Sequence, residues 1–95
     1  MCENFIKFDD DKDRYDLIPP EWTAASAKIL THGAKKYKPN NWKLGDVDRY
    51  YGAIHRHLNA IQMGEYLDPE SGFPHTWHLH TNTGFLITLI GENNE

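Results

Sequence analysis

The chain has 95 residues, 39% of them hydrophobic and 25% charged, and a net charge of -4. That length suits one domain with a modest core, and the acidic balance excludes bulk attraction to a nucleic-acid polymer or an anionic membrane. One cysteine, Cys2, excludes an internal disulfide and a thiolate metal set. No apolar run approaches the roughly 20 residues of a membrane span. Residues 1–13 lack the basic and apolar regions of a signal peptide, so the expected compartment is a reducing cytoplasm.

Residues 1–20 read as an acidic arm without helical periodicity. Asp9-Asp10-Asp11-Lys12-Asp13 is solvated, and Tyr15, Leu17 and Ile18 are expected to dock the arm on the body. Pro19-Pro20-Glu21 signals a helix start, because proline suits the first turn and a carboxylate suits the helix dipole there. Trp22, Ala25, Ile29, Leu30 and Ala34 follow at helical spacing, and Lys35 and Lys36 suit the C-terminal end. Lys38-Pro39-Asn40-Asn41-Trp42-Lys43-Leu44-Gly45 is a loop by composition. Asp46 or Asp48 then caps a second helix. Val47, Tyr50, Tyr51, Ile54, Leu58 and Ile61 form its apolar stripe, and Gly64 ends it. After a second loop, Asp68-Pro69-Glu70-Ser71-Gly72-Phe73-Pro74, Pro74 opens a third helix carrying Trp77, Thr81, Gly84, Phe85, Leu86, Leu89 and Ile90. The reading is all-α, with an arm over 1–20, a helical domain over 21–91 and a polar tail over 92–95. Three helices make a thin core, so a homodimer or homotetramer is expected to complete it.

Three constellations carry chemistry. Five of the six histidines fall between His55 and His80. Helical spacing puts His75, His78 and Asn82 on one face, and Asp68 and Glu70 enter from the preceding loop. Such a set can hold a divalent cation: magnesium prefers oxygen ligands, and imidazole suits manganese or zinc. The plain alternative is a capped turn with histidines bonded to backbone or water. On the second helix, Arg56 and His57 form the next set, and the arginine fork suits phosphate. A solvated arginine is the commoner case, and His55 and His80 read as surface or packing residues. The third set, Lys35-Lys36-Tyr37-Lys38-Pro39-Asn40-Asn41-Trp42-Lys43, holds four of the ten basic residues. Its lysines can neutralise a triphosphate, and Trp42 or Tyr37 can stack on a base for roughly 1–3 kcal/mol. Asn40 and Asn41 can read a purine edge; alternatively Trp42 plugs the junction of the first two helices. There is no cysteine–histidine zinc pattern or P-loop, and no nucleophile elbow. Ser71 reads as turn chemistry.

The ordered series Asp11-Lys12, Arg14-Tyr15-Asp16-Leu17-Ile18-Pro19-Pro20-Glu21, Gly33-Ala34-Lys35-Lys36-Tyr37, Asn41-Trp42, Arg56-His57-Leu58 and Asp68-Pro69-Glu70-Ser71-Gly72 with His75, His78 and Asn82 resembles the phage dATP/dGTP diphosphohydrolase (MazZ-type) family. That family is related to the all-α MazG-like nucleotide pyrophosphohydrolases, which bind magnesium or manganese within a four-helix core often built by oligomers. The resemblance implies metal-dependent hydrolysis of dATP or dGTP to monophosphate and pyrophosphate in phage nucleotide metabolism, in the host cell cytoplasm. It implies that Glu65, Asp68 and Glu70 hold Mg2+ or Mn2+ and that Glu70, His75 and His78 are catalytic. Lys35, Lys36, Tyr37, Asn41, Trp42, Arg56, His57 and Asn82 would then bind substrate. MazG-like enzymes carry E-x-x-E and E-x-x-D pairs on facing helices. Here Glu65-Tyr66-Leu67-Asp68 has the second spacing at a helix end, Glu92-Asn93-Asn94-Glu95 has the first on the tail, and histidines take the expected acidic helical positions. That departure suits a rival of another class, a non-catalytic phage sponge that sequesters a nucleotide-derived host immune signal. A helical oligomeric adaptor without a ligand is the third reading.

Overall fold

The computed structural model describes residues 11–93; Cys2, Asp9, Asp10 and Glu95 lie outside them. Pro20 opens helix α1 (Pro20–Lys36), with Glu21 in the first turn and Lys35 and Lys36 in the last, charges that oppose the helix dipole at both ends. Asp46 caps helix α2 (Val47–Gln62), its carboxylate accepting from the Arg49 backbone N–H at 3.2 Å. The same N–H also meets the Asp46 carbonyl at 3.2 Å, so backbone and side chain of Asp46 together close the first turn. Gly64, at φ 94°, ends α2. The Gly64 N–H bonds the Ile61 carbonyl and the Glu65 N–H bonds the Ala60 carbonyl, the paired closure that a left-handed residue permits. Helix α3 (His75–Asn93) starts just after Pro74, which forms a short antiparallel bridge with Leu67. The all-α expectation holds. The described residues contain three α-helices, two 3-10 turns (Tyr15–Leu17 and Asn41–Leu44) and that one bridge.

Helix α3 is central, since α1 and α2 both pack on it and hardly on each other. Its second half carries Phe85, Leu86 and Leu89 close together, which suits a helix with neighbours on more than one side. Trp42, in the second 3-10 turn, stacks on Phe85 with ring centroids 4.6 Å apart. Tyr50 of α2 tilts against the same ring at 5.0 Å, and its hydroxyl donates to the Trp42 carbonyl. Trp42 therefore packs where α2 and α3 meet, not between the first two helices.

Apolar burial is sparse. Ala25 and Ile29 are the buried hydrophobic residues, while Trp22 is half exposed. The radius of gyration is 17.0 Å, against about 12 Å for a closed globule of this length. The docking expected of Tyr15, Leu17 and Ile18 is not seen: all three are exposed. Among the described residues these three find no burying surface, and Asp16 of their turn pairs with Arg14 at 2.7 Å. No described helix is long and apolar enough to cross a membrane.

Candidate functional site

The connection between α2 and α3 is a tight, internally bonded turn. Its backbone is pinned by Asp68 N–H to the Phe73 carbonyl (2.8 Å), Gly72 N–H to the Asp68 carbonyl (2.7 Å) and His75 N–H to the Tyr66 carbonyl (2.9 Å). Gly72 sits at φ 80°, where a side chain would be strained. So held, the Asp68 carboxylate accepts from the Glu70 N–H at 3.1 Å and from the Ser71 hydroxyl at 3.2 Å. Ser71 Oγ also lies 2.7 Å from His78 Nε2 and accepts from the Phe73 N–H at 3.2 Å. Asp68 Oδ2 is 3.4 Å from that same imidazole nitrogen. A Ser–His–Asp relay needs acid and nucleophile on opposite ring nitrogens, so these three residues are not one. Ser71, which sequence reading assigned to turn chemistry, ties Asp68 to His78.

Behind this turn stand two more imidazoles. His57, from α2, stacks on His78 with centroids 4.7 Å apart and planes 5° from parallel. His57 Nδ1 is 2.8 Å from Nδ1 of buried His75, and His75 Nε2 is 2.7 Å from Glu65 Oε1. His57, Asp68 and His78 each offer a ligand atom, and these atoms lie within 4.8 Å of one another. Burial pushes His57 below its ordinary 6.5, and the neighbouring His78 and His75 push the same way. Burial also lowers His78, against the opposing charge of Asp68. For Asp68, burial raises the value, but the Glu70 N–H, His78 and the Ser71 hydroxyl together hold it below 3.8. Near neutral pH the carboxylate is therefore ionised and both imidazoles are neutral, the protonation states that metal ligands require.

A cavity of ≈ 660 Å³ opens beside the cluster. Helix α1 contributes His32 and Lys36, the segment after it Tyr37, Asn41 and Trp42, and α2 contributes Tyr50 and Arg56. Asp68, Glu70, Ser71, His78, Asn82 and Phe85 complete the wall. Glu70 is largely exposed, with its carboxylate 3.8 Å from Lys36 Nζ. Asn82 is buried and donates to the His78 carbonyl at 2.7 Å. Trp42 is stacked on Phe85 and has Lys43 Nζ 5.6 Å from its ring centroid. Tyr37 is an exposed ring with Lys36 Nζ at 5.3 Å.

Not every residue named from sequence reaches the cavity. Lys35 lines a separate groove with Phe73, and neither His57 nor the buried His75 lines the cavity. Of the carboxylates Glu65, Asp68 and Glu70, Asp68 alone joins the three-ligand group; Glu65 pairs with His75 and Glu70 with Lys36. His55 and His80 are exposed, with His80 ring-to-ring with Trp22 at 6.1 Å. His32 was missed, although it lies one helical turn before Lys36, a spacing that places the two on one face.

These features define a class: a small all-α protein whose cation- and aromatic-lined cavity ends at a carboxylate–imidazole cluster. The chain belongs to the family described as dATP/dGTP diphosphohydrolase, N-terminal, which it matches over residues 4–95. It is similar to a Salmonella phage PMBT28 protein named dATP/dGTP diphosphohydrolase, at 32% identity over 85 residues, covering 90% of this chain and 29% of the relative. The chain thus spans less than a third of that relative's length. No solved structure matches it.

Proposed function

We propose that this chain acts in the metal-dependent hydrolysis of dATP or dGTP to the monophosphate and pyrophosphate, in phage nucleotide metabolism within the host cytoplasm. One observation carries the reading: Lys36, Arg56, the exposed Tyr37 ring and the Asp68–His78 cluster converge on one cavity of ≈ 660 Å³, a size suited to a small-molecule ligand. Family membership and the name of the phage relative support it.

The chemistry follows from charge. A triphosphate must be neutralised before water reaches its α-phosphorus. The ionised Asp68 and the neutral imidazoles beside it would hold the divalent ion, Mn2+ better than Mg2+, which when bound would offset phosphate charge and acidify a coordinated water. Lys36 and the Arg56 fork clamp the outer phosphates. Tyr37 offers a face for the purine, and Asn41 offers an amide for its edge. Trp42, stiffened by Phe85, forms the wall between them. Glu70 takes the proton of the attacking water. The water oxygen bonds the α-phosphorus, the bridge to the β-phosphorus breaks, and pyrophosphate leaves.

The proposal includes self-association as a homodimer or homotetramer. Large apolar side chains such as Leu44 (85% exposed) and Ile87 (77% exposed) support it, because a single chain leaves them in water. Size exclusion with light scattering should give a multiple of 11.0 kDa.

The test of function is incubation of the purified chain with dATP and dGTP, with Mg2+ or Mn2+, and separation of products by anion exchange. Monophosphate with pyrophosphate is expected. Intact triphosphate with both metals would overturn hydrolysis by this chain and turn the reading to the same pocket as a sequestering site.

A further inference from the structure

We infer that His57, Asp68 and His78 form a site for a single first-row transition dication, Mn2+, Co2+ or Zn2+, in preference to Mg2+, with Glu65 and His75 as positioning residues that prepare His57 to bind it. The use of this ion rests on the function proposed above. Its binding does not, so the experiment below reads binding alone and the two can fail separately.

The geometry carries the inference: three ligand atoms lie within 4.8 Å of one another, and short contacts run from His57 through His75 to Glu65. The Glu65 carboxylate only accepts hydrogen bonds, so His75 Nε2, 2.7 Å away, is the donor. A singly protonated His75 that donates from Nε2 keeps its lone pair on Nδ1. The 2.8 Å contact between the two Nδ1 atoms makes His57 Nδ1 the donor. His57 Nε2 is left with its lone pair. A ring whose one nitrogen donates to a fixed partner while the other is bare is what a ligating histidine requires. His75 is only 4% exposed, so the middle of the relay is shielded from competing water, while Glu65 at its end stays half exposed.

The other two ligands are held from the opposite side. Asp68 is ionised and fixed through one oxygen by the Glu70 N–H, while its other oxygen faces His78. The rings of His57 and His78 lie parallel, and each offers a ligand atom within 4.8 Å of the other's. His57 is anchored by His75. His78 is therefore the ring that turns, exchanging its Ser71 contact for the ion. Two nitrogens and one oxygen suit manganese through zinc, whereas Mg2+ favours oxygen and keeps its waters. Three protein ligands leave open positions for water or phosphate oxygens.

The experiment titrates the metal-free full chain, without nucleotide, with Co2+ by visible absorption and with Mn2+, Zn2+ and Mg2+ by calorimetry. Transition ions should bind once per chain, and Mg2+ at least about tenfold more weakly. His57→Asn or Asp68→Asn should abolish that binding. Glu65→Ala should weaken it about 10–100-fold with helix content by circular dichroism unchanged, and Glu65→Gln, which still accepts from His75, should restore most of the affinity. A companion measurement needs no variant: trace Mn2+ added to the wild-type chain should broaden the ring-proton signals of His57 and His78 before those of His55 and His80. No uptake of a transition ion, equal affinity for Mg2+, undiminished binding in His57→Asn and Asp68→Asn, or broadening centred away from His57 and His78 would overturn the inference.

Discussion

The two halves of α3 invert the usual arrangement of a helix. Its first half buries polar side chains: His75, Thr81 and Asn82 are 4%, 4% and 7% exposed. Its second half leaves apolar ones in water, with Ile87 at 77% and Ile90 at 37%. A monomeric core has the opposite tendency. The polar half is stable because each group is met. His75 is flanked by His57 and Glu65, Thr81 donates to Ser26 at 3.3 Å, and Asn82 donates to the His78 carbonyl. No buried side-chain polar atom among the described residues lacks a partner, so the desolvation cost of burying them is offset. In the second half Phe85 is met by Trp42 and Tyr50, but Ile87 stays largely in water. The contrast separates two regions: the polar groups of the candidate site are satisfied within one chain, while apolar surface such as Ile87 stays exposed, as the proposed self-association requires.

Substitutions can break that comparison at either half. The largest effect is expected at the polar half. Asp68→Asn keeps an acceptor for the Glu70 N–H but loses the charge, so turnover of dATP should fall by at least about 100-fold with helix content by circular dichroism intact. At the other half, Ile87→Glu should lower the mass read by light scattering toward that of one chain. If the site is complete in one chain, ion binding at His57, Asp68 and His78 survives this change; loss of both together would merge the two halves. Arg56→Ala removes a phosphate clamp from the cavity wall and should raise KM about tenfold, or about 1.4 kcal/mol, in steady-state kinetics. Asp46→Ala removes the α2 cap, which should cost about 1 kcal/mol in denaturant unfolding and leave KM unchanged.

The smallest effect is a pH dependence of stability. His57 and His78 titrate below their ordinary 6.5 in the folded chain, so the unfolded chain binds more protons just below that value. Their contribution is full above 6.5 and is lost as pH falls through the folded values. Asp68, held below 3.8, adds a loss of the same sign only in a more acid window. Urea midpoints of the metal-free chain should therefore be lower at about pH 5.5 than at about pH 7.5; a higher midpoint at the acid pH would contradict this assignment.

Local chemistry made much of this fold readable. Pro20, Lys36, Asp46 and Gly64 bound their helices through dipole, cap and left-handed closure, all written within a few residues of each terminus. Helical spacing likewise put His75, His78 and Asn82 on one face beside Asp68. What spacing does not encode is distance through the turn. The 2.8 Å contact of His57 with His75 spans 18 residues and depends on how the segment from Gly64 to Pro74 folds back. Ser71 looked like turn chemistry because its link to His78 appears only once α3 is placed. Tyr15, Leu17 and Ile18 looked like docking residues because apolarity is legible and whether a surface buries it is not.

The most direct measurement runs the reaction with Mn2+ and dATP in water enriched in oxygen-18 and analyses both products by mass spectrometry. The expected result is one heavy oxygen in the monophosphate and none in the pyrophosphate, since water attacks the α-phosphorus. Label in the pyrophosphate, or triphosphate recovered intact, would contradict hydrolysis at this site.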